Sequence, residues 1–154
     1  MSEFYVSVGD SVSFTKTISE FDVYQFAGIT GDFSPIHVDA EYARATPMKQ
    51  RVAHGVLLIG LMSTTGTMLI QKYARVIAGH ESYSVGYDRV RFIRPVFFGD
   101  TIRVVDTVAE IDFAKNRCGT KVELFNQHGE IVCAATHLIQ WITPQSKPKA
   151  PAAA

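Results

Sequence analysis

Several features that would place this chain in a specialised class of protein are scarce. The 154 residues include only two cysteines, Cys118 and Cys133, which are too few for the disulfide framework of a small secreted domain and lie outside any metal-binding spacing. Both are predicted to be reduced thiols. Fifteen basic and fifteen acidic residues cancel, so no net charge draws the chain toward nucleic acid or an anionic membrane. Any anionic ligand must therefore be met by local groups.

Long apolar runs and a leader segment are also missing. The most apolar stretch, 56–70 (VLLIGLMSTTGTMLI), contains four hydroxyl side chains and is shorter than the roughly 20 residues that span a bilayer. It is predicted to be a helix in the protein core. The N-terminus has no basic patch followed by an apolar segment, so neither a signal peptide nor a transit peptide is predicted, and the expected location is the cytoplasm.

The remaining composition is that of one compact domain. The hydrophobic content of 47% is enough to form a single core, and 154 residues are too few for two domains. The last segment, 144–154 (PQSKPKAPAAA), has no apolar periodicity and is predicted to be a disordered tail. The domain is therefore expected to cover residues 1–143.

The first half of the chain predicts one strand followed by helices. Residues 12–18 alternate as a strand does, and Ser19 with Asp22 three residues later forms a capping-box signature that opens a short helix toward Ala27. Gly28 and Gly31 are expected to end that helix.

An ordered loop and two further helices are predicted to follow. Pro35 lacks a backbone donor and restricts Ser34 to extended conformations, so residues 30–37 (TGDFSPIH) are expected to be loop. Asp39 is predicted to cap the short helix AEYARA, and Gly55 precedes the long buried helix.

The second half of the chain reads as strands. Four segments are rich in Val, Ile, Phe and Thr and are separated by Pro, Gly, Asn and Asp: 82–93, 101–112, 120–126 and 130–142. Their close spacing favours antiparallel neighbours. One strand, then helices, then a run of strands predicts an α+β fold, most simply the hot-dog fold, in which a curved antiparallel sheet wraps around one long helix.

The chemistry-bearing residues concentrate just ahead of the long helix. Asp32 and His37 lie five residues apart on the loop that Gly31 and Pro35 shape. An aspartate and a histidine held together suit general acid–base catalysis near neutral pH. Taken alone, the pair has a simpler interpretation, in which Asp32 caps a turn and His37 is an ordinary loop histidine.

Three separated motifs resemble those of the MaoC-like dehydratase family, which includes the (R)-specific enoyl-CoA hydratases. They are FAGITGDFSPIHVD at 26–39, HGVLLIGLMS at 54–63 and VRFIRPVFFGDTI at 90–102. They occur in the order the family has, and the resemblance extends from the first strand to about Trp141.

The resemblance implies a set of site residues. In the family loop G-D-x-N-P-x-H the aspartate and histidine are catalytic, and they match Asp32 and His37, while Ser34 replaces the usual asparagine. Gly55 matches the position whose backbone N–H holds a thioester oxygen, and Ser63 matches a polar serine that binds substrate. Ser63 could equally bond the carbonyl of the preceding helical turn.

Other residues near these motifs have plainer interpretations. His54 could touch substrate or satisfy a helix end, and both interpretations stay open. Asp39 is better explained as a helix cap than as a catalytic acid. Arg91 and Arg94 could meet the phosphates of CoA, but arginines at strand ends are usually solvated, so neither is included in the predicted site.

The activity implied by the resemblance is the reversible hydration of a 2-enoyl thioester to the (R)-3-hydroxyacyl thioester. The implied partners are an acyl-CoA or acyl carrier protein substrate and a second copy of the chain, as a homodimer or an assembly of dimers. No cofactor or metal is implied, since no metal cluster or dinucleotide fingerprint is present in the sequence. Acyl length stays open.

Two rival functions are compatible with the same fold. The first is an acyl-CoA thioesterase, which commonly places an acidic residue on the central helix; residues 56–73 contain none. The second is a non-catalytic acyl-binding subunit, which loss of the aspartate or the histidine would have favoured.

Overall fold

The computed structural model describes residues 4–73 and 81–142. One strand, four helices and four further strands follow one another along the chain: β1 Ser11–Thr17, α1 Glu20–Thr30, α2 Pro35–Val38, α3 Ala40–Ala45, α4 Leu57–Tyr73, β2 Glu81–Phe92, β3 Thr101–Asp112, β4 Arg117–Phe125 and β5 Ile131–Ile142. The predicted tail, 144–154, lies outside the described residues.

The five strands form one antiparallel sheet in the order β1-β3-β4-β5-β2. Helix α4 packs on one face of this sheet, which we call the inner face. The predicted α+β hot-dog fold is therefore confirmed. Each strand's inward side chains alternate with outward ones because successive residues of a strand point to opposite faces, and β3 and β5 follow this alternation closely.

Two hydrophobic clusters lie between α4 and the inner face. Leu58, Leu61 and Met62 belong to the first cluster, at the N-terminal half of α4, and Leu69 belongs to the second. Trp141 in the second cluster stacks on Tyr5 with ring centroids 4.4 Å apart. The first cluster lies beside the short helices, so it is the one that supports the predicted site.

The capping box at Ser19 is confirmed, but the prediction that Gly28 ends helix α1 is wrong. The Ser19 hydroxyl accepts from the Asp22 N–H at 3.2 Å, and the Asp22 carboxylate accepts from the Ser19 N–H at 2.8 Å. The helix continues through Gly28 and ends at Thr30. Gly31 then adopts φ 79°, a left-handed conformation that favours glycine at a helix C-terminus.

The prediction of loop over 30–37 is wrong in its second half. Pro35 begins the short helix α2, which runs to Val38 and carries His37. Proline is tolerated at the first position of a helix because the N–H it lacks has no partner there in any case. The restriction that Pro35 imposes on Ser34 therefore marks the start of a helix instead of excluding one.

Helix α4 is buried along one side only. Thr65, Gly66 and Leu69 are buried, whereas Gly60, Ser63 and further residues at the same spacing are exposed. The prediction of a core helix thus holds for one face. Within the described residues, no helix is both long and apolar enough to cross a membrane.

Candidate active site

The predicted aspartate lies at the exposed end of a tight loop between α1 and α2. The Thr30 hydroxyl donates to the carbonyl oxygen of Phe26 at 2.7 Å and accepts from the Asp32 N–H at 3.3 Å. The Ser34 N–H donates to Asp32 Oδ1 at 3.2 Å. Asp32 Oδ2 stays open to solvent, and the side chain is 53% exposed. A carboxylate in this position is accessible to water and to a substrate.

Ser34, which replaces the family's asparagine, contributes backbone contacts to this loop. Its N–H bonds to Asp32, and its carbonyl oxygen accepts from the His37 N–H at 2.9 Å. Its side chain forms no capping hydrogen bond to α2. Backbone groups therefore brace the loop where an asparagine side chain would otherwise do so.

His37 is fixed by a single strong contact. Its Nδ1 lies 2.7 Å from the carbonyl oxygen of Val52. A carbonyl oxygen only accepts hydrogen bonds, so Nδ1 carries a proton, and in the neutral ring Nε2 is then the nitrogen with the lone pair. Because Val52 pairs with Phe97 across an isolated bridge, the backbone that orients the ring is itself held by the main body of the protein.

His54 lies at the centre of the site. Its ring is 2% exposed, and the ring centroids of His54 and His37 are 3.8 Å apart. The His54 Nε2–H donates to the backbone carbonyl oxygen of Asp32 at 2.9 Å, and Phe26 packs against the ring with centroids 4.8 Å apart. His54 therefore links the Asp32 loop to the ring of His37.

The described ranges contain one group of side chains whose ligand atoms are close enough together to hold a metal ion. It consists of Asp32, His37 and His54, and these atoms all lie within 4.8 Å of one another. His54 Nε2 is already bonded to the Asp32 carbonyl, and its Nδ1 is buried without a partner among the described residues. Metal binding through His54 Nε2 would break the contact that holds the loop. The arrangement is better suited to proton transfer.

An open cleft of about 360 Å³ lies between the start of α4 and the end of β2. His37, Gly55 and Leu58 line one side, and Phe92 and Arg94 line the other. A second cleft of about 350 Å³ lies on the outer face of the sheet beside Glu110 and Lys121. We assign the chemistry to the first cleft because it contains the predicted histidine.

Gly55 lies at the turn that opens α4, and two backbone donors there are free. The N–H groups of Leu57 and Leu58 bond to the carbonyls of His54 and Gly55. The N–H groups of Gly55 and Val56 have no acceptor within the part of the chain that the structure describes. Unpaired donors at a helix start, together with the helix dipole, favour negative charge.

A glycine at position 55 leaves room for a neighbouring aromatic ring. A β-carbon there would lie 3.0 Å from the ring of Phe92. The missing side chain therefore makes room for Phe92.

His37 and Gly55 line this cleft, whereas Asp32 and Ser63 are not among its lining residues. Ser63 is exposed on α4, and its hydroxyl lies close enough to Tyr87 to lower the pKa of that phenol, which burial raises more strongly. The structure thus brings Asp32, His37 and Gly55 to one region and places Ser63 farther along the helix. Arg94, left out of the predicted site, lines the cleft and pairs with Glu130 at 3.5 Å.

The sequence of this chain matches one family model and is similar to two named enzymes. The family model described as a MaoC-like domain matches residues 4–127. Two similar proteins are the (R)-specific enoyl-CoA hydratase of Rhodospirillum rubrum, 39% identical over 104 residues, and the 3-hydroxybutyryl-CoA dehydratase of Methylorubrum extorquens, 37% identical over 107 residues. The matches cover 67% and 69% of this chain but only 66% and 62% of those relatives.

A solved structure is similar over nearly the whole chain. The R-hydratase of Pseudomonas aeruginosa, in its unliganded form, superposes with a TM-score of 0.74 at 31% identity. The superposition covers 96% of this chain and 94% of that one. The similarity therefore includes both the sheet and the helices that carry the site.

Proposed function

This chain belongs to the MaoC-like domain family, and on that premise we propose that it is a hydro-lyase that reversibly hydrates a 2-enoyl thioester to the (R)-3-hydroxyacyl thioester. The observation that carries the proposal is the convergence of Asp32 and His37 beside a cleft at the start of α4. The names of the similar hydratases support the reaction class and the R configuration.

The reaction requires a base, an acid and a stabiliser of negative charge. A water molecule loses a proton, and its oxygen forms a bond to C3. The electrons of the C2=C3 double bond then move toward the thioester, whose oxygen becomes an enolate oxygen. Transfer of a proton to C2 completes the addition. Positioned acid–base groups each contribute roughly 10²–10⁴-fold to such steps.

Asp32 and His37 supply the proton transfers. The free Nε2 lone pair of His37 and the open Oδ2 of Asp32 are available to one water molecule. The pair acts as a unit, because two titratable groups so close together exchange protons with each other as well as with the substrate.

Gly55 supplies the stabiliser of the enolate. Its N–H, like that of Val56, has no acceptor in the described structure, and Gly55 lines the cleft that contains His37. Backbone donors that already point at a developing charge need no rearrangement during the reaction, and removal of one such donor typically costs 10²–10³-fold in rate.

His54 is a positioning residue in this proposal. It donates to the Asp32 carbonyl and stacks beside His37, so it fixes the distance between the two reacting side chains. Ser63, exposed two turns farther along α4, would bind the acyl part of the substrate, as its match to the family implies.

The remaining features of the proposal concern the whole protein. The substrate is an acyl-CoA or an acyl carrier protein thioester, with no further cofactor or metal. We further propose one catalytic domain over residues 1–143, a dimer-based assembly and a cytoplasmic location.

One assay tests the proposal directly. Purified protein is mixed with crotonyl-CoA and with a longer 2-enoyl-CoA, the absorbance of the conjugated thioester is followed, and free thiol is measured in parallel. We expect loss of conjugation without thiol release, and chiral analysis should give the R product. The S isomer would refute the stereochemical part alone.

Thiol release would instead establish a thioesterase. Helix α4, Leu57–Tyr73, has no Asp or Glu, which argues against that outcome. No reaction with either thioester would favour the non-catalytic acyl-binding alternative.

A further inference from the structure

Four polar side chains form a row across the inner face of the sheet, one from each of four adjacent strands. They are Asp106 on β3, Thr120 on β4, His137 on β5 and Tyr87 on β2. Thr120 pairs with His137, and His137 pairs with Tyr87. Thr65 of α4 lies over this polar row, close enough to Asp106 for its hydroxyl to affect the pKa of the carboxyl.

The polar row separates the two hydrophobic clusters. Asp106 stands between Val104 of the first cluster and Val108 of the second. His137 and Thr120 stand between members of the same two clusters on their own strands. The row therefore interrupts a core that would otherwise be continuous, at a place where apolar residues would pack well.

Most polar atoms of the row form no hydrogen bond of normal geometry with the described residues. Five atoms of the row are buried and form no such hydrogen bond: both carboxylate oxygens of Asp106, the Thr120 hydroxyl, His137 Nδ1 and the Tyr87 hydroxyl. Hydroxyls do lie near two of the side chains, Thr65 and Thr120 near Asp106 and Ser63 and Ser84 near Tyr87, where they oppose the rise in pKa that burial causes. Asp106 and Thr120 are fully buried, and His137 is 2% exposed. Buried donors and acceptors left unsatisfied are destabilising and rare in folded proteins, so four such side chains in one place indicate an occupant.

The groups in the row are suited to an uncharged occupant. Burial lowers the pKa of His137 to about 4, so its ring is neutral at pH 7, and burial raises the pKa of Asp106. No Lys or Arg stands among the row residues. A carboxylate would be repelled by an ionised Asp106, and a hydrocarbon would leave every group unsatisfied.

On the side where α4 meets β2, the row adjoins two surface residues. Ser63 and Ser84 are exposed there, and Ser84 Oγ lies 2.8 Å from His137 Nε2. On α4, a β-carbon at Gly66 would lie 2.6 Å from His137 Cε1, so the glycine lets the imidazole reach the helix.

The same helix joins the row to the candidate active site. Gly55 and Phe92 meet at one end of the contact between α4 and β2, and Ser63 and Tyr87 meet farther along it. Eight residues separate Gly55 from Ser63, which corresponds to roughly 12 Å at the rise of an α-helix.

We propose that the polar row binds a neutral polar group of the substrate's acyl chain, either a hydroxyl or a ketone oxygen. This group would lie roughly 12 Å from the thioester carbonyl, the distance that follows from the rise of α4 between Gly55 and Ser63. This inference rests on the proposed function, because it names the acyl class that the hydratase takes. Such a group donates to or accepts from Tyr87, Thr120 and His137 in place of water.

The test compares 2-enoyl-CoA thioesters of increasing length, each with and without a terminal hydroxyl. The measured quantity is the ratio of kcat/KM for the two members of each pair, so that a general loss of folded enzyme cancels. We expect the ratio to reach about 10 at one chain length. Tyr87→Phe and Thr120→Val should return it to about 1, because each removes one hydroxyl with little change in shape.

Tyr73→Phe is the matched control. It removes a phenol hydroxyl that bonds to the Ser11 carbonyl at 2.9 Å, outside the polar row, and should keep the wild-type ratio. A ratio of about 1 at every length, or a ratio that persists in both row variants, overturns the inference and leaves the row as a site for buried water. Absence of turnover with every thioester, including crotonyl-CoA, overturns the proposed function, and the inference falls with it.

Discussion

The imidazole rings of His37 and His54 lie with their centroids 3.8 Å apart and their planes inclined by 31°. Each ring donates to a backbone carbonyl, His37 to Val52 and His54 to Asp32. These two contacts join the segment that contains Asp32 and His37 to the segment that contains Val52 and His54. The loop is held mainly through its backbone, and neither Asp32 Oδ2 nor His37 Nε2 forms a hydrogen bond with the described residues.

Loss of either member of the catalytic pair should abolish most activity. We expect Asp32→Asn and His37→Ala each to reduce kcat/KM for crotonyl-CoA by at least about 10²-fold, because each removes a proton-transfer group. The assay is loss of the conjugated thioester, with circular dichroism to check the fold. His128→Ala, in the turn between β4 and β5 and not among the residues that line the cleft, is the control. Near-normal rates in either site variant would remove the pair from the mechanism.

Replacement of His54 should reduce kcat more than it changes KM. His54→Phe keeps a ring between Phe26 and His37 but cannot donate to the Asp32 carbonyl. We expect kcat to fall by about 10- to 100-fold, since small displacements of catalytic groups have effects of this size. His54→Gln retains a donor and should recover part of the loss. Equal kcat values for wild type and His54→Phe would show that the contact does not position the loop.

Addition of one methyl group at Gly55 should impair catalysis with a small loss of stability. In Gly55→Ala the new β-carbon lies 3.0 Å from the Phe92 ring. That ring is half exposed and can yield, but the turn that presents the free N–H groups shifts with it. We expect a roughly tenfold decrease in kcat/KM, measured beside the midpoint of urea unfolding.

Gly60→Ala provides the control for that variant. A β-carbon at Gly60 meets nothing within 4 Å in the described structure, and alanine is favoured over glycine in a helix by about 1 kcal/mol. It should therefore keep full activity and unfold at a higher urea concentration. If the two variants lost activity equally, the effect could not be assigned to the turn at Gly55.

Acidification should destabilise the protein through His137. Its pKa falls from 6.5 to about 4 on folding because the buried ring is poorly solvated. Below pH 6.5 the unfolded chain takes up a proton that the folded chain does not, so the free energy of unfolding decreases as the pH falls from 6.5 toward 4. One unit of pKa corresponds to about 1.4 kcal/mol.

The measurement is urea unfolding of wild type and His137→Gln at pH 7 and pH 5. We expect wild type to lose about 2 kcal/mol more than the variant between these two values. Asp106 has the opposite effect, because its raised pKa makes the folded state bind a proton more readily than the unfolded chain. Its contribution is present in both proteins and cancels in the comparison. An identical loss in both would show that His137 titrates normally in the folded state.

Local patterns in the sequence predicted the elements of the fold well. The capping box at Ser19 and the cap at Asp39 depend on contacts over two or three residues, so the amino-acid order alone contains them. The interval 101–112 was predicted to the residue because its turn signals flank it closely. Strand β4 begins three residues earlier than predicted, since Asn116 adopts φ 54° and completes the turn before Arg117.

The sequence by itself determined the family: the loop motif with Asp32 and His37, together with the two other motifs, resembles the MaoC-like family before any coordinate is known, and from that resemblance the reaction class is predicted. Only the tertiary structure decided how those residues are held. His54 comes 22 residues after Asp32 and bonds to its carbonyl, and the polar row depends on register across four strands. These relationships depend on which distant segments pack together, and neither the period of a helix nor the alternation of a strand specifies that.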